Sequence, residues 1–86
     1  MIQDVLLARL GETVDQVVVL EWMVDEGDRV AVGDVLVRVE TDKIDVDVES
    51  PYTGVVVERL VAEDDEVHTG SPLCRIEVTD LLERIP

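Results

Sequence analysis

The sequence predicts an all-β fold, a flattened barrel or sandwich of two four-stranded sheets related by a pseudo-two-fold axis. Apolar and polar residues alternate with a period of two in several segments, which is typical of half-buried strands. Hydrophobic residues make up 47% of the 86-residue chain but aromatic residues only 2%, so β-branched and aliphatic side chains must fill the core. At this length we expect one modest core and one domain.

An internal repeat supports this architecture. A shift of 37 residues aligns Val18–Glu40 with Val55–Glu77, and 11 of the 23 aligned positions are identical. A single β-unit of this size cannot bury an apolar face alone, so two copies are expected to pack against each other about a pseudo-two-fold axis.

The predicted elements follow the same order in both units, with one further strand ahead of each. The first unit has a strand at Gln16–Val24, an acidic turn at Asp25–Asp28, a short strand near Val30, a turn at Gly33 and a strand at Val35–Glu40. The second has Gly54–Val61, Ala62–Asp65, the vicinity of Val67, Gly70 and Pro72–Val78. The further strands lie near Asp4–Arg9 and at Ile44–Glu49. Residues 80–86 fit the repeat poorly and are predicted to be a tail or the start of a linker, so the domain is 1–79.

The stretch Val35–Val48 is predicted to form a β-hairpin with Asp42 and Lys43 as central turn residues. Before the turn, Val35, Val37 and Val39 alternate with Leu36, Arg38 and Glu40. The expected cross-strand pairs are Val39–Val46 and Val37–Val48 on the buried side, Arg38–Asp47 on the outer side, and the like-charged pair Glu40–Asp45. No glycine occupies the turn, so the sequence leaves the turn type open.

Lys43 is the only lysine, and the other six basic residues are arginines. Apart from the chain terminus, the protein therefore carries one primary amine, at the predicted hairpin tip. A modifying enzyme can convert an ammonium group into an amide, whereas a guanidinium resists this change. The tip is thus a candidate modification site. The alternative is an unmodified, solubilising lysine paired with Asp42 or Asp45.

Charge and hydropathy limit the classes of partner. The formal net charge of −14 disfavours binding to nucleic acid and to anionic membranes, and it favours partners with basic or neutral surfaces. Apolar runs such as Val17–Leu20 are too short to span a bilayer, and no basic segment precedes an apolar one at the N-terminus. We therefore expect a soluble chain without a targeting signal. The single cysteine, Cys74, cannot form an internal disulfide and is predicted to be a small buried hydrophobe.

Other candidate sites are weaker. Asp45, Asp47 and Glu49, or the run Glu63–Glu66, could offer carboxylates to a metal, but neither has the spacing of an EF-hand, and solvated acidic surface is expected. His68 has no serine or cysteine partner in a motif, so a surface or structural role is expected. Trp22 corresponds to Arg59 in the repeat and should be partly exposed or cover one end of the core.

The segment ETDKIDVDVESPYTGVV at Glu40–Val56 resembles the attachment motif of the lipoyl domains of 2-oxo acid dehydrogenase complexes, in which a Glu-Thr-Asp-Lys turn carries the modified lysine. LGETV at Leu10–Val14 is similar to the loop beside that turn, and VDEGDRVAVGDVL at Val24–Leu36 to the first-half turn region. The related biotinyl domains carry Ala-Met-Lys-Met at the turn, and the glycine-cleavage carrier has another lysine context. Two features depart from the family: Asp64 stands where the first unit has Gly27, and no alanine-proline-rich linker follows.

This resemblance implies a carrier whose lipoic acid is amide-linked to Lys43 as N6-lipoyllysine by a lipoyl ligase or lipoyltransferase. The swinging arm would accept an acyl group from a thiamin-diphosphate-dependent 2-oxo acid dehydrogenase. It would deliver that group to coenzyme A at an acyltransferase core and be reoxidised by dihydrolipoamide dehydrogenase. The domain itself would not be an enzyme but part of a dihydrolipoamide acyltransferase.

The resemblance also implies the residues that partners recognise and the setting of the domain. A monomeric isolated domain is expected, in the cytoplasm or, in a eukaryote, the mitochondrial matrix. An unmodified β-sandwich interaction module and a biotinyl-type carrier remain the alternatives. The implied site residues are Glu40, Thr41, Asp42 and Ile44 around the lysine, the loop residues Gly11, Glu12, Thr13 and Val14, and Gly54 as a structural turn glycine.

Overall fold

The computed structural model describes residues 1–10 and 15–78, and within these ranges all regular structure is β-strand. No helix in the described ranges is long and apolar enough to cross a membrane. The strands are β1 (Ile2–Leu6), β2 (Gln16–Trp22), β3 (Arg29–Val30), β4 (Val35–Glu40), β5 (Asp45–Glu49), β6 (Gly54–Arg59), β7 (Glu66–His68) and β8 (Pro72–Val78).

The strands form two antiparallel sheets of four, which confirms the predicted fold class. One sheet has the order β1-β8-β6-β3 and holds both ends of the described chain; we call it the terminal sheet. The other has the order β5-β4-β2-β7 and contains Lys43 between β4 and β5; we call it the lysine sheet. Exchanging β1 with β5, β8 with β4, β6 with β2 and β3 with β7 converts one order into the other. The two sequence repeats are therefore related by a pseudo-two-fold axis in the fold.

The acidic turn of each unit is hydrogen-bonded to the long strand of the other unit. The Gly27 N–H donates to the Val56 carbonyl oxygen at 2.6 Å, and the Val56 N–H donates to the Asp28 carbonyl oxygen at 2.9 Å. The equivalent bonds run from the Asp64 N–H to the Val19 carbonyl oxygen at 2.7 Å and from the Val19 N–H to the Asp65 carbonyl oxygen at 2.8 Å. The two units therefore complete each other's backbone hydrogen bonds, which a buried backbone requires.

Aliphatic side chains fill the space between the sheets, as predicted. Burying each one contributes about 1.5–3 kcal/mol to the free energy of unfolding. The largest fully buried side chains are Leu36, Leu73, Ile76, Val19, Val37, Val39, Val56 and Cys74. The prediction of a buried Cys74 is thus confirmed.

Leu36 corrects the strict alternation assumed for β4. The sequence pattern places it on the outer side, but the structure buries it completely beside Val37. The β4–β5 register shifts between Val35 and Val37, so one extra residue in β4 turns inward as a β-bulge. Leu73 and Cys74 repeat this arrangement in β8, where the β1–β8 register also shifts.

The predicted limits of β1, β2 and β6 are also corrected, and β1 ends at Leu6 and not near Arg9. β1 begins at Ile2 and not near Asp4, because the Val78 N–H donates to the Met1 carbonyl oxygen at 2.8 Å and the terminal amino group pairs with Glu77. β2 and β6 each end two residues earlier than predicted. There, the N–H groups of Trp22 and Arg59 donate to side-chain carboxylates, those of Glu63 at 3.2 Å and Glu26 at 2.9 Å.

Gly54 has a different role from the predicted one of a turn glycine. It is the buried first residue of β6 and pairs with Val78 and Val30 on either side. A Cβ on this residue would lie 2.0 Å from the Glu77 carbonyl oxygen. The position therefore requires a missing side chain for close approach of strands, and not an unusual backbone conformation.

Trp22 and Arg59 occupy equivalent positions and contact each other. The Arg59 guanidinium carbon lies 5.7 Å from the centre of the indole ring, within the range of cation–π attraction. The indole N–H donates to the Val61 carbonyl oxygen at 3.0 Å. Trp22 is half-buried against the core, which confirms its predicted partial exposure.

The symmetry predicts a stabilising substitution at Asp64. Asp64 has φ 76° at the position where the first unit has Gly27 with φ 94°, and it is the one non-glycine residue with positive φ in the described ranges. A left-handed conformation costs an L-residue free energy that glycine avoids. Asp64→Gly should therefore raise the free energy of unfolding by about 0.5–1 kcal/mol in a denaturant titration. The control Gly27→Asp should lower it; a lower stability for Asp64→Gly would contradict the strain argument.

Candidate functional site

The hairpin that carries Lys43 has the predicted register. The cross-strand pairs are Val37–Val48, Arg38–Asp47, Val39–Val46 and Glu40–Asp45. Arg38 Nε donates to Asp47 Oδ1 at 3.0 Å, and this bond and the Asp47 charge raise the pKa of the Arg38 guanidinium. The register confirms that Asp42 and Lys43 lie at the tip.

The Thr41 hydroxyl organises the turn. Thr41 Oγ1 donates to the Ile44 carbonyl oxygen at 2.8 Å and accepts the N–H groups of Ile44 at 3.0 Å and Lys43 at 3.2 Å. The Thr41 N–H donates to the same Ile44 carbonyl oxygen at 2.8 Å. One side chain thus satisfies the backbone groups on which this tight turn depends.

This arrangement excludes a type I′ turn, a point that the sequence left open. A type I′ turn would need positive φ at both central residues, which explains its usual glycine. Neither Asp42 nor Lys43 has positive φ. The Thr41 side chain therefore stabilises a turn that needs no glycine at its two central positions.

Thr41 itself is 8% exposed, so it cannot offer a partner much surface. The structure gives this member of the implied recognition set a different role, that of holding the turn from inside. The sequence could have indicated this role, since the side chain of a Ser or Thr at the first position of a turn commonly hydrogen-bonds the backbone two residues later.

The other residues at the tip face solvent. Glu40, Asp42 and Lys43 are exposed, and Ile44 has 63% of its surface exposed. No ion pair within residues 1–10 and 15–78 includes Lys43, so the alternative of a lysine paired with Asp42 or Asp45 finds no support there. The lysine is available to an enzyme that approaches the hairpin end.

The second implied recognition patch, Gly11, Glu12, Thr13 and Val14, lies outside the described residues and stays a prediction, as does the tail at 80–86. The residues that lead into and out of this loop are held by backbone bonds. The Gly70 N–H donates to the Leu7 carbonyl oxygen at 2.8 Å, and the Thr69 N–H donates to the Asp15 carbonyl oxygen at 2.9 Å.

The weaker candidates lie on β5, which begins beside the tip, and on β7. Asp45, Asp47 and Glu49 are exposed along β5, and the described part of the chain contains no group of three or more His, Cys, Asp or Glu side chains that could hold a metal ion. His68 is exposed in β7, opposite Gln16. Burial, with a smaller contribution from the Asp4 charge, raises the pKa of the Cys74 thiol to about 11, so this thiol is protonated and inert at neutral pH.

The Thr41 bonds predict that the hydroxyl, and not the shape of the side chain, sets the geometry of the tip. Thr41→Val keeps the shape but leaves two backbone N–H groups without their acceptor, which should cost about 1–2 kcal/mol of unfolding free energy. Thr41→Ser keeps the hydroxyl and serves as the control. Thermal unfolding and amide exchange at Lys43 and Ile44 measure the effect; equal behaviour of the two variants would show that the hydroxyl is dispensable.

Comparisons with known proteins identify the family of the chain. A family model named Biotin_lipoyl and described as "Biotin-requiring enzyme" matches residues 3–76, which include the hairpin. The dihydrolipoyllysine-residue acetyltransferase component of the pyruvate dehydrogenase complex of Mycobacterium bovis is 44% identical over 55 residues, 64% of this chain and 10% of the relative. The lipoamide acyltransferase component of the branched-chain alpha-keto acid dehydrogenase complex of Bacillus subtilis is 33% identical over 76 residues, 88% of this chain and 18% of the relative.

Two solved structures have a similar fold. The lipoyl domain of the 2-oxoglutarate dehydrogenase complex from Azotobacter vinelandii has a TM-score of 0.70 at 27% identity, and the match covers 88% of this chain and 98% of that domain. A single-chain, multi-domain long-chain acyl-CoA carboxylase has a TM-score of 0.75 at 26% identity over 98% of this chain and 8% of the carboxylase. The chain spans less than a fifth of the two curated relatives. From its fold, its hairpin and these matches, the chain belongs to the biotin/lipoyl carrier-domain family.

Proposed function

We propose that this chain is a lipoyl carrier domain in which lipoic acid is joined by an amide bond to Lys43. The observation that carries the proposal is the exposed, sole lysine at the tip of a turn fixed by Thr41. The surroundings fit an amide, because its formation removes the ammonium charge and no described carboxylate is paired with that charge.

The turn residues favour lipoate over biotin. The hairpin carries Glu40, Thr41 and Asp42 before the lysine, whereas the biotinyl domains carry Ala-Met-Lys-Met at this place. Asp42 and Ile44, the immediate neighbours of Lys43, are both exposed and would face the modifying enzyme. The similarity to an acyl-CoA carboxylase in fold is a specific reason to keep a biotinyl carrier as the second candidate.

A lipoyl group on Lys43 would supply a cyclic disulfide on a flexible arm; this disulfide would be reduced as it accepts an acyl group from a carbanion donor such as the thiamin adduct, and it would need reoxidation after the acyl group leaves to the thiol of coenzyme A. The chain's own contribution is to present the attachment point on a firm hairpin. Cys74, buried with a raised pKa, adds no competing thiolate. A tether to a larger assembly would raise the effective concentration of the arm at each active site to about millimolar.

The partners follow from this role and belong to the proposal. They are a lipoyl ligase or lipoyltransferase, a thiamin-dependent 2-oxo acid dehydrogenase, an acyltransferase core and dihydrolipoamide dehydrogenase. The curated relatives are components of such complexes by name, and this supports the same assignment. The expected location is the cytoplasm, or the mitochondrial matrix in a eukaryote.

Intact mass after expression with a lipoyl ligase, or separately with a biotin ligase, tests the proposal. The wild-type domain should gain one lipoyl group, which peptide mapping should place on Lys43, and it should gain little biotin. Lys43→Arg should stay unmodified yet keep the wild-type circular-dichroism spectrum, because the side chain is outside the core. Biotin attachment in place of lipoate, or no attachment with an active ligase, would overturn the lipoyl assignment, and an unfolded Lys43→Arg variant would show that the lysine is structural.

A further inference from the structure

The basic side chains of this chain other than Lys43 and His68 are all guanidinium groups. Lysine and arginine together number seven, and six of these are arginine. Either residue can supply positive charge, but their chemistry differs. A lysine amine becomes a nucleophile when it loses its proton, whereas a guanidinium stays protonated in proteins. The surface therefore carries its positive charge without amines, apart from the chain terminus and the attachment point itself.

Arg38 is the arginine that lies beside the lysine hairpin, on the outer face of the lysine sheet. Its side chain is 42% exposed. A strand rise of about 3.3 Å per residue puts roughly 7 Å between the Cα atoms of Arg38 and Glu40, where the turn begins. A lipoyl arm on Lys43 has about 13 bonds from Cα to the reacting sulfur and, at roughly 1.2 Å of advance per bond, spans about 16 Å. The end of the arm can therefore reach the Arg38 side chain.

An amine at the place of this guanidinium would capture the acyl group that the arm carries. The neutral nitrogen would attack the carbonyl carbon of the thioester, so that a C–N bond forms, the C–S bond breaks, and the sulfur leaves with the proton that the nitrogen gives up. This step needs no oxidant or reductant, and its product is a stable amide that no longer passes the acyl group to a thiol. A tethered arm meets the groups within its reach at about millimolar effective concentration. Each amine within that reach would therefore drain the carrier.

Ion pairing explains the arginine at position 75 better than the one at position 38. Arg75 bonds two carboxylates through two nitrogens, Nε to Asp4 at 3.2 Å and Nη1 to Glu58 at 3.3 Å, and this geometry suits a planar guanidinium. In the described ranges Arg38 bonds one carboxylate, that of Asp47, through Nε at 3.0 Å. The ammonium group of a lysine could make that single bond as well. The arginine beside the arm therefore calls for a reason other than pairing.

We propose that Arg38 protects the acyl group on the arm from capture by the carrier itself, because it supplies the charge that pairs with Asp47 without supplying an amine. The inference rests on the proposed function and gives a role to a residue outside the turn. That role is selectivity: the acyl group leaves to the thiol of coenzyme A and not to a nitrogen of this chain. Asp47 in turn keeps the guanidinium protonated, since its hydrogen bond and its charge raise the pKa of Arg38.

The other nucleophiles of the described residues are placed in agreement with this role. The Cys74 thiol is fully buried, and burial raises its pKa to about 11. The terminal amino group of Met1 pairs with Glu77 in the terminal sheet, away from the lysine hairpin. His68 is exposed in β7, but an imidazole forms covalent intermediates that break down again, so it is no permanent trap. A stable amide would need an amine, and Arg38 is the cation at which one would be within reach.

The pseudo-two-fold axis supplies a matched pair of variants, Arg38→Lys and Arg75→Lys. Both arginines bond an aspartate on the neighbouring strand, and their side chains are 42% and 48% exposed. Arg75 lies on the outer face of the terminal sheet, so the packed core separates it from the arm. Each variant is lipoylated by a ligase, reduced, acetylated on the arm near neutral pH by exchange with a small acetyl thioester, and desalted. Peptide mapping then follows acetyl transfer to the introduced lysine, with a sample taken at once as the starting value.

The introduced lysine of Arg38→Lys should be acetylated at least about tenfold faster than that of Arg75→Lys. At about 10 μM protein, the millimolar effective concentration of the arm exceeds that of arms on other molecules by about a hundredfold. The rate should rise about tenfold per pH unit between about pH 7.5 and 9.5, because only the neutral amine reacts and the pKa of a lysine is about 10.4. Unlipoylated variants incubated with acetyl-coenzyme A give the intrinsic reactivity of each introduced lysine, by which the two rates are divided.

Equal normalised rates in the two lipoylated variants would overturn the proposal, as would a stable acetyl group on the arm of Arg38→Lys. Either result would attribute the arginine to composition or to packing. Both variants keep the charge at an exposed position, so their circular-dichroism spectra should match that of the wild type. The proposed function fails separately and earlier, if the ligase adds no lipoyl group to Lys43 of the wild-type domain.

Discussion

The constraint on which this structure depends is the reciprocal bonding of the two β-units. Each acidic turn donates and accepts backbone hydrogen bonds with the long strand of the other unit, at Gly27 and Val56 on one side and at Asp64 and Val19 on the other. Neither unit can satisfy these groups alone, so both must be present for either sheet to form. The exchange fixes the sheets relative to each other and leaves the β4–β5 turn, at an end of the lysine sheet, as a short hairpin open to solvent.

The exposed lysine lies where the symmetry is broken. At the place where the lysine sheet has the Lys43 hairpin, the terminal sheet has the start of β1 and the end of β8. Some differences between the two units serve packing alone. Gly54 stands at the position equivalent to the buried Val17 because two strands approach closely there. Arg59 stands at the position equivalent to Trp22 and lies over its indole ring. The lysine at the tip, by contrast, lies on the surface, and no ion pair in the described ranges includes it.

The repeat and the two-residue alternation were enough to predict the strand order of each unit, the hairpin register and the position of Lys43. Three features could not be predicted because they depend on contacts between segments that are distant in the sequence or on the exact pairing of strands. The bulge that buries Leu36 and the close approach at Gly54 arise from pairing with neighbouring strands. The early ends of β2 and β6 depend on carboxylates from the opposite unit. The Thr41 hydroxyl is local, and turn chemistry could have indicated it.

The central claim is that the fold presents Lys43 by the register of its hairpin. A single alanine inserted between Val39 and Glu40 keeps every residue of the motif but shifts its strand by one position, which inverts the side chains or forces a bulge. The rate of lipoylation, measured by intact mass on protein shown to be folded, should drop at least about tenfold, since the tip is no longer held in place. The same insertion after Gly33, in an exposed turn away from the tip, should have little effect. A wild-type rate for the Val39 insertion would mean that the ligase recognises a linear peptide and would contradict the claim.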